Sequence, residues 1–342
     1  MKKLFFYIMV LIIIIFLMPI LLTKEFAQTI EINSNETLNN ENDENNIDIS
    51  NNGDSEYTYS NYGTIRLLHS KTGEIEEKNI DEYLLGVVSA EMPATYEQEA
   101  LKAQAVVART YTVYMIKNSS SKHGEADICD DSGCCQAWIS KEDRLARWDE
   151  DKREENWAKI EKAVYETQGK IITYNGEAID AFFHSNSGGK TENVSTVWGG
   201  ADLPYLQTVE TSGEDAYSQY FSEVSLFKEE FENKIKQKHA DFQIDYNEQE
   251  CIKVMEYTTG DRVKTIKIGN LNLSGVEVRT LLGLKSANFE VNIDGDNITF
   301  TVKGYGHGVG MSQTGANTLA QEGKLYDEII KHFYTGVEIN NL

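Results

Sequence analysis

The sequence predicts an α+β fold of mixed, hairpin-rich sheets around a helical elbow, preceded by one N-terminal transmembrane helix. Three observations predict it. Apolar segments with strand alternation meet across short turns such as Thr72-Gly73, Asn175-Gly176, Gly260-Asp261 and Asp294-Gly295. The stretch 83–111, YLLGVVSAEMPATYEQEALKAQAVVARTY, carries apolar residues at helical spacing and is broken once, at Pro93. Residues 4–22 form an uncharged apolar run behind Lys2 and Lys3, long enough to cross a bilayer core. Strands and helices then alternate irregularly, which favours α+β over a doubly wound sheet.

Three segments follow from composition. Residues 1–23 read as a cytoplasmic tip and a signal anchor, because the lysines place the N-terminus inside and the rest outside. A cleaved signal peptide is the rival, but no small-x-small cleavage site follows Leu22. Residues 24–60, rich in Asn, Glu, Asp and Ser with few apolar residues, read as a disordered linker. Residues 61–342 are enough for a sizeable core, in one large domain or two closely joined ones. The formal net charge of −23 argues against nucleic acid as a partner and leaves an uncharged glycan open.

Within that domain, residues 62–68 and 74–79 form the first hairpin. Asp81 is the expected N-cap of the elbow's first helix, and the second runs from about Glu97 to Lys117, rich in alanine. Trp157, Ile160, Val164 and Tyr165 mark a third helix, closed by Gly169. Residues 171–174 and 178–183 pair across Asn175-Gly176, so the second strand leads into His184-Ser185-Asn186-Ser187-Gly188-Gly189. A helix over about 226–238 puts Leu226, Phe227, Phe231 and Ile235 on one face. Ser274 and Glu277 make a capping box for a short helix ending at Gly283.

Glu91 stands at the C-terminus of the elbow's first helix. The negative end of the helix dipole and apolar neighbours such as Met92 push its carboxyl pKa up, and a glutamate that keeps its proton is what a general acid requires. Lys102 and Arg109 are two helical turns apart on one face, placed to bind a substrate carboxylate or to orient Glu91. The glycine-rich loops 187–189 and 304–315 allow close backbone approach to a ligand. Ser187, Tyr305, His307, Ser312 and Gln313 offer polar groups and an aromatic face suited to a sugar ring, and His184 is a further candidate. His123, Cys129 and Cys135 are evenly spaced, with Cys134 adjacent to the last. Thiolate and imidazole suit zinc, while a disulfide is the rival on the outer side of a membrane. Cys251 reads as core.

Three separated stretches together resemble the stage II sporulation protein D family, which also includes domains described as amidase enhancers. They are Gly86 to Tyr111, Phe183 to Gly189, and Gly306 to Ala316, spanning about 230 residues in order. A fourth, Cys135-Gln136-Ala137-Trp138, matches the end of a cysteine-bounded loop and selects Cys135 as the family position. Cys134 departs from the usual histidine and leaves the ligand set open. The resemblance implies a lytic transglycosylase that cleaves the MurNAc–GlcNAc β-1,4 bond of peptide-stripped peptidoglycan and closes a 1,6-anhydro ring, with Glu91 as the single acid. A hydrolase would need a second carboxylate about 5–9.5 Å away, for which Glu97, Asp180, Glu192 and Asp202 are candidates. The competing readings are a non-catalytic glycan-binding module that stimulates a cell-wall amidase, and a zinc-dependent hydrolase. The family setting further implies work at the septal membrane during engulfment of the forespore. The partners it implies there are a membrane-anchored amidase or endopeptidase and a polytopic membrane protein.

Overall fold

The computed structural model describes residues 62–118 and 122–342. The expected membrane helix and linker lie outside the described residues, and none of the described helices is long and apolar enough to cross a membrane. The fold is mixed α+β, with several small sheets and helices.

The first hairpin, β1 (Thr64–Leu68) and β2 (Ile75–Asn79), is antiparallel. It feeds directly into α1 (Ile80–Glu91), whose N-cap is Asn79, with Asn79 Oδ1 accepting from the Asp81 N–H. The expectation for Asp81 is thus corrected by two residues: its carboxylate is buried and paired with Arg109. Helix α1 ends one residue before the Met92-Pro93 break, where proline drives the preceding residue out of the helical region.

Helix α2 (Gln98–Asn118) is the axis of the larger core. It is packed by α1, by α4 (Arg153–Tyr165) and by β4 (Lys170–Tyr174). Two C-terminal helices, α8 (Gln313–Gln321) and α9 (Tyr326–Phe333), also lie against it. A helix surrounded this way must be apolar or small all round, and its run from Ala100 to Val113, apart from Lys102, is buried. Its alanines let the neighbours approach closely.

Between α2 and α4 run β3 (Ile128–Cys129), parallel to β1, and α3 (Lys141–Arg147). Across Asn175-Gly176, β4 pairs with β5 (Glu177–Ala178), and Asn175 takes the positive φ of 53° that this hairpin turn needs. The predicted strand over 178–183 is interrupted. Its end is a separate β6 (Phe183–His184), which leaves β4 and pairs in parallel with β13 (Met311–Ser312). This exchange brings the two glycine-rich loops side by side. The helix α5 (Val194–Trp198) follows the first loop, and β14 (Glu338–Asn341) closes the β4 sheet.

A second core occupies residues between the two loops. It joins β7 (Phe221–Phe227), β11 (Asn288–Asp294) and β12 (Asn297–Lys303) in one sheet, and β8 (Ile252–Tyr257), β9 (Val263–Ile268) and β10 (Leu271–Ser274) in another. Helices α6 (Lys228–Lys236) and α7 (Gly275–Leu282) pack with them. The helix expected from Leu226 starts two residues later, because 221–227 alternate and pair with β12 as a strand. Phe231 and Ile235 are buried as expected, whereas Phe227 is exposed. Ser274 caps α7, but Glu277 turns away to Lys238 and His239, so only half of the capping box forms. Cys251 is buried just before β8.

Candidate active site

Glu91 is the last residue of α1, and both carboxyl oxygens are held. The Ala137 N–H donates to Oε1 at 2.7 Å, and Gln313 Nε2 donates to Oε2 at 3.3 Å. Burial raises the Glu91 pKa and outweighs the two donors, which pull the other way. The direction agrees with the sequence reading, but desolvation carries it. Glu91 opens into a cleft of about 360 Å³ lined also by Met92, Tyr96, Arg144, Trp148, Asn156, Ser185, Gln219 and Gln313. It is the only carboxylate among the described residues that line this cleft.

The segment that supplies Ala137 is pinned from both sides. Buried Gln136 donates to Tyr83 Oη at 2.9 Å and to Thr112 Oγ1 at 3.0 Å, tying the loop to α1 and α2. On the other side Trp138 lies against Gly86, where an added Cβ would fall 2.2 Å from the indole nitrogen. Glycine at 86 is required by that close approach.

Gln313 is delivered by the loop pairing. Ser312 caps α8, and its hydroxyl donates to Glu214. Glu214 also accepts from the Ser187 N–H at 3.1 Å and the Ser187 hydroxyl at 2.5 Å. The Gly189 N–H, Thr211 and Thr314 complete its shell at 3.1, 2.7 and 3.0 Å. Burial pushes this carboxyl up, but the donors, Ser187 and Ser312 foremost, outweigh it and hold it below the usual range. Glu214 is therefore an ionised peg that locks both glycine-rich loops together. Gly304 stays glycine for the same reason: at φ 79°, its Cβ would sit 2.8 Å from the Asn186 carbonyl oxygen.

The sequence-predicted residues divide into four groups. Gln313 reaches Glu91. Ser187 and Ser312 serve Glu214, so they shape the loops and do not line the Glu91 cleft. His307 lines a separate small cavity with Arg262 and Arg279; its ring lies against Trp198 at 5.0 Å and His184 at 5.5 Å. Burial holds His307 well below its ordinary pKa and pushes His184 down to about 3, so both rings are neutral. Tyr305 is exposed nearby, with Lys285 Nζ 5.1 Å from its ring centre.

Lys102 and Arg109 face away from the cleft. Lys102 Nζ pairs with Glu99 at 2.9 Å and Glu166 at 2.7 Å. Arg109 is fully buried, donating to the Thr167 and Val164 carbonyls and pairing with Asp81 at 3.1 Å. Its surroundings are the C-terminal end of α4, whose orphan carbonyls attract a cation. The shared helical face was read correctly; what it meets is protein.

Sequence reasoning missed Glu214, Ala137, Ser185, Arg144 and Trp148. Ala137 and Ser185 lie inside the recognised motifs, but a backbone N–H leaves no mark on residue type. Arg144 and Trp148 lie in a charged helical stretch that reads as solvated surface.

His123, Cys129, Cys134 and Cys135 come together, with one donor atom from each lying within 4.8 Å of all the others. His123 Nε2 is 3.1 Å from Cys135 Sγ. Such a set fits a tetrahedral metal ion with thiolate and imidazole ligands. Cys134 belongs to the group in addition to the three predicted ligands. All four cysteines, Cys251 included, are free thiols.

The family described as "SpoIID: Stage II sporulation protein" matches residues 68–174, which hold Glu91 and the cysteine cluster. "Stage II sporulation protein D" of Bacillus subtilis (strain 168) is 39% identical over 278 residues, covering 81% of this chain and 79% of that protein. The protein of the same name from Bacillus amyloliquefaciens is 38% identical over 81% of this chain and 78% of its own length. The "Amidase enhancer" of Bacillus subtilis is 29% identical over 75% of this chain and 40% of its own length.

Proposed function

The chain belongs to the stage II sporulation protein D family, and from that premise we propose that it is a membrane-anchored lytic transglycosylase of peptidoglycan, acting on septal wall during engulfment. The observation that carries this reading is Glu91: a half-buried acid with a raised pKa, alone among the carboxylates of the described residues in lining a cleft of about 360 Å³. None of the other candidate carboxylates lines that cleft. Asp180 is pushed up to about 7 by burial elsewhere, and Glu192 and Asp202 bond to Thr258 and Ser195.

Glu91 protonates the glycosidic oxygen of the MurNAc–GlcNAc bond as it breaks. The resulting carboxylate takes the proton of the MurNAc C6 hydroxyl, whose oxygen attacks C1 and closes the 1,6-anhydro ring. One group serves as acid and then base. Burial favours the protonated form, and the Ala137 and Gln313 donors stabilise the carboxylate midway, so neither state is too costly.

In this reading His123, Cys129, Cys134 and Cys135 would hold a structural zinc ion, and four protein ligands would leave it a crosslinking and not a catalytic role. The loop those residues belong to presents Ala137 to Glu91. Residues 4–22 anchor the chain, and the catalytic domain faces outward, next to an amidase or endopeptidase and a polytopic membrane protein.

The amidase enhancer relative supports a second reading, a glycan-binding module that stimulates an amidase. The two separate on one comparison. If the enzyme reading holds, Glu91→Gln abolishes cleavage of peptide-stripped strands while glycan binding persists. Wild-type chain that binds strands, stimulates an amidase and never cleaves would select the module.

A further inference from the structure

We propose that Arg144 recognises the free lactyl carboxylate of a muramic-acid sugar, so that the Glu91 cleft itself selects glycan whose stem peptides have been removed. This rests on the glycan reading above and adds to it the residue that reads the substrate. Arg144 lies on α3, which Ser140 caps, and its side chain lines the cleft. Glu91 and Arg144 are the only charged side chains among the described residues lining it.

The Arg144 guanidinium has no counter-ion among the described residues. Arg66 pairs with Asp127, Arg109 with Asp81, and Arg262 donates to backbone carbonyls. Arg144 makes no ion pair or side-chain hydrogen bond among the described residues, and its Nε is buried without a partner. Burial, together with the neighbouring charge of Arg147, lowers its pKa, as expected of a cation still lacking its anion. The guanidinium carbon lies 4.9 Å from the Trp148 ring centre. Stacking uses the face of the group, and the terminal N–H groups are the ones that can give an in-plane carboxylate two bonds.

The chemistry of the substrate matches. A stripped MurNAc ends its C3 lactyl ether in a carboxylate. With a stem peptide attached, the same carbon is a neutral amide with a bulky chain behind it. A GlcNAc oligomer has no lactyl group at all. The first gives Arg144 an anion with the geometry of its fork, and the other two do not.

The test uses the full chain carrying Glu91→Gln, which blocks cleavage, titrated with three probes. These are peptide-stripped strands, strands with stem peptides, and GlcNAc oligomers. The parent is expected to bind stripped strands about tenfold more tightly than the other two, the scale of a charge-assisted contact. Adding Arg144→Gln should remove that preference and leave the GlcNAc affinity unchanged, while Arg144→Lys keeps part of it. An undiminished preference in Arg144→Gln overturns the proposal, as does an equal loss on all three probes, which marks a structural arginine. If the parent binds no glycan, the glycan reading fails first and takes this one with it.

Discussion

The Ala137 N–H lies 2.7 Å from Glu91 Oε1, and Ala137 is two residues beyond Cys135. The acid and the cysteine cluster are thus joined by a short length of backbone. Buried Gln136 between them bonds both elbow helices. Whatever orders the cluster also sets one of the two donors on the acid.

Metal removal should therefore act on Glu91 at a distance. Zinc is expected to bind with one ion per chain and raise the melting temperature, since it binds the folded state preferentially. Cys129→Ser should lower zinc content, melting temperature and activity together, although Cys129 does not line the cleft. Elemental analysis with thermal melts checks this. A melting temperature indifferent to both chelator and Cys129→Ser would exclude a metal at the cluster.

The pH dependence follows from the raised pKa of Glu91. The folded state favours the protonated acid, so this group's contribution to stability is full below the ordinary carboxylate range and is lost as pH rises through the folded pKa. Glu91→Gln should accordingly match wild type in stability at about pH 4 and exceed it at pH 8, while lacking activity at both. Denaturant melts at the two pH values measure it. A variant no more stable at pH 8 than at pH 4, relative to wild type, would contradict the burial argument.

Glu214 has the opposite sign. Its pKa is depressed in the folded state, so it stabilises above the ordinary carboxylate pKa and loses that contribution as pH falls through the folded value. Glu214→Gln should cost about 3 kcal/mol at neutral pH, because the buried donors lose an ionised acceptor. The loss should shrink in acid. Activity should fall with it, since Ser312 and Gln313 are adjacent.

Arg109 tests whether a predicted binding residue is structural. Arg109→Met leaves Asp81 buried without its cation and should destabilise the chain by about 3–5 kcal/mol. At temperatures where the variant stays folded, its KM for glycan should equal that of wild type. A raised KM with normal stability would restore the substrate-binding role.

These contrasts show what the sequence could and could not convey. The elbow, the hairpin at Asn175-Gly176 and the break at Pro93 were legible because local sterics decide them. The start of α6 was not, since Leu226 fits a helical face and a strand equally well until β12 supplies a partner. The place of Glu91 at a helix end was legible, but its Ala137 contact is a backbone donor from a loop 46 residues away. Lys102 and Arg109 share a face, as their spacing required, yet spacing cannot say whether that face meets ligand or protein. Glu214 belongs to none of the matched motifs, and its role exists only once both glycine-rich loops converge on it.

The most direct measurement is mass spectrometry of the products released from peptide-stripped glycan strands by the zinc-loaded chain, wild type and Glu91→Gln. The account predicts sugars ending in 1,6-anhydro-MurNAc from wild type and no cleavage by the variant. Products with reducing ends, or anhydro products from the variant, would contradict a single-acid transglycosylase centred on Glu91.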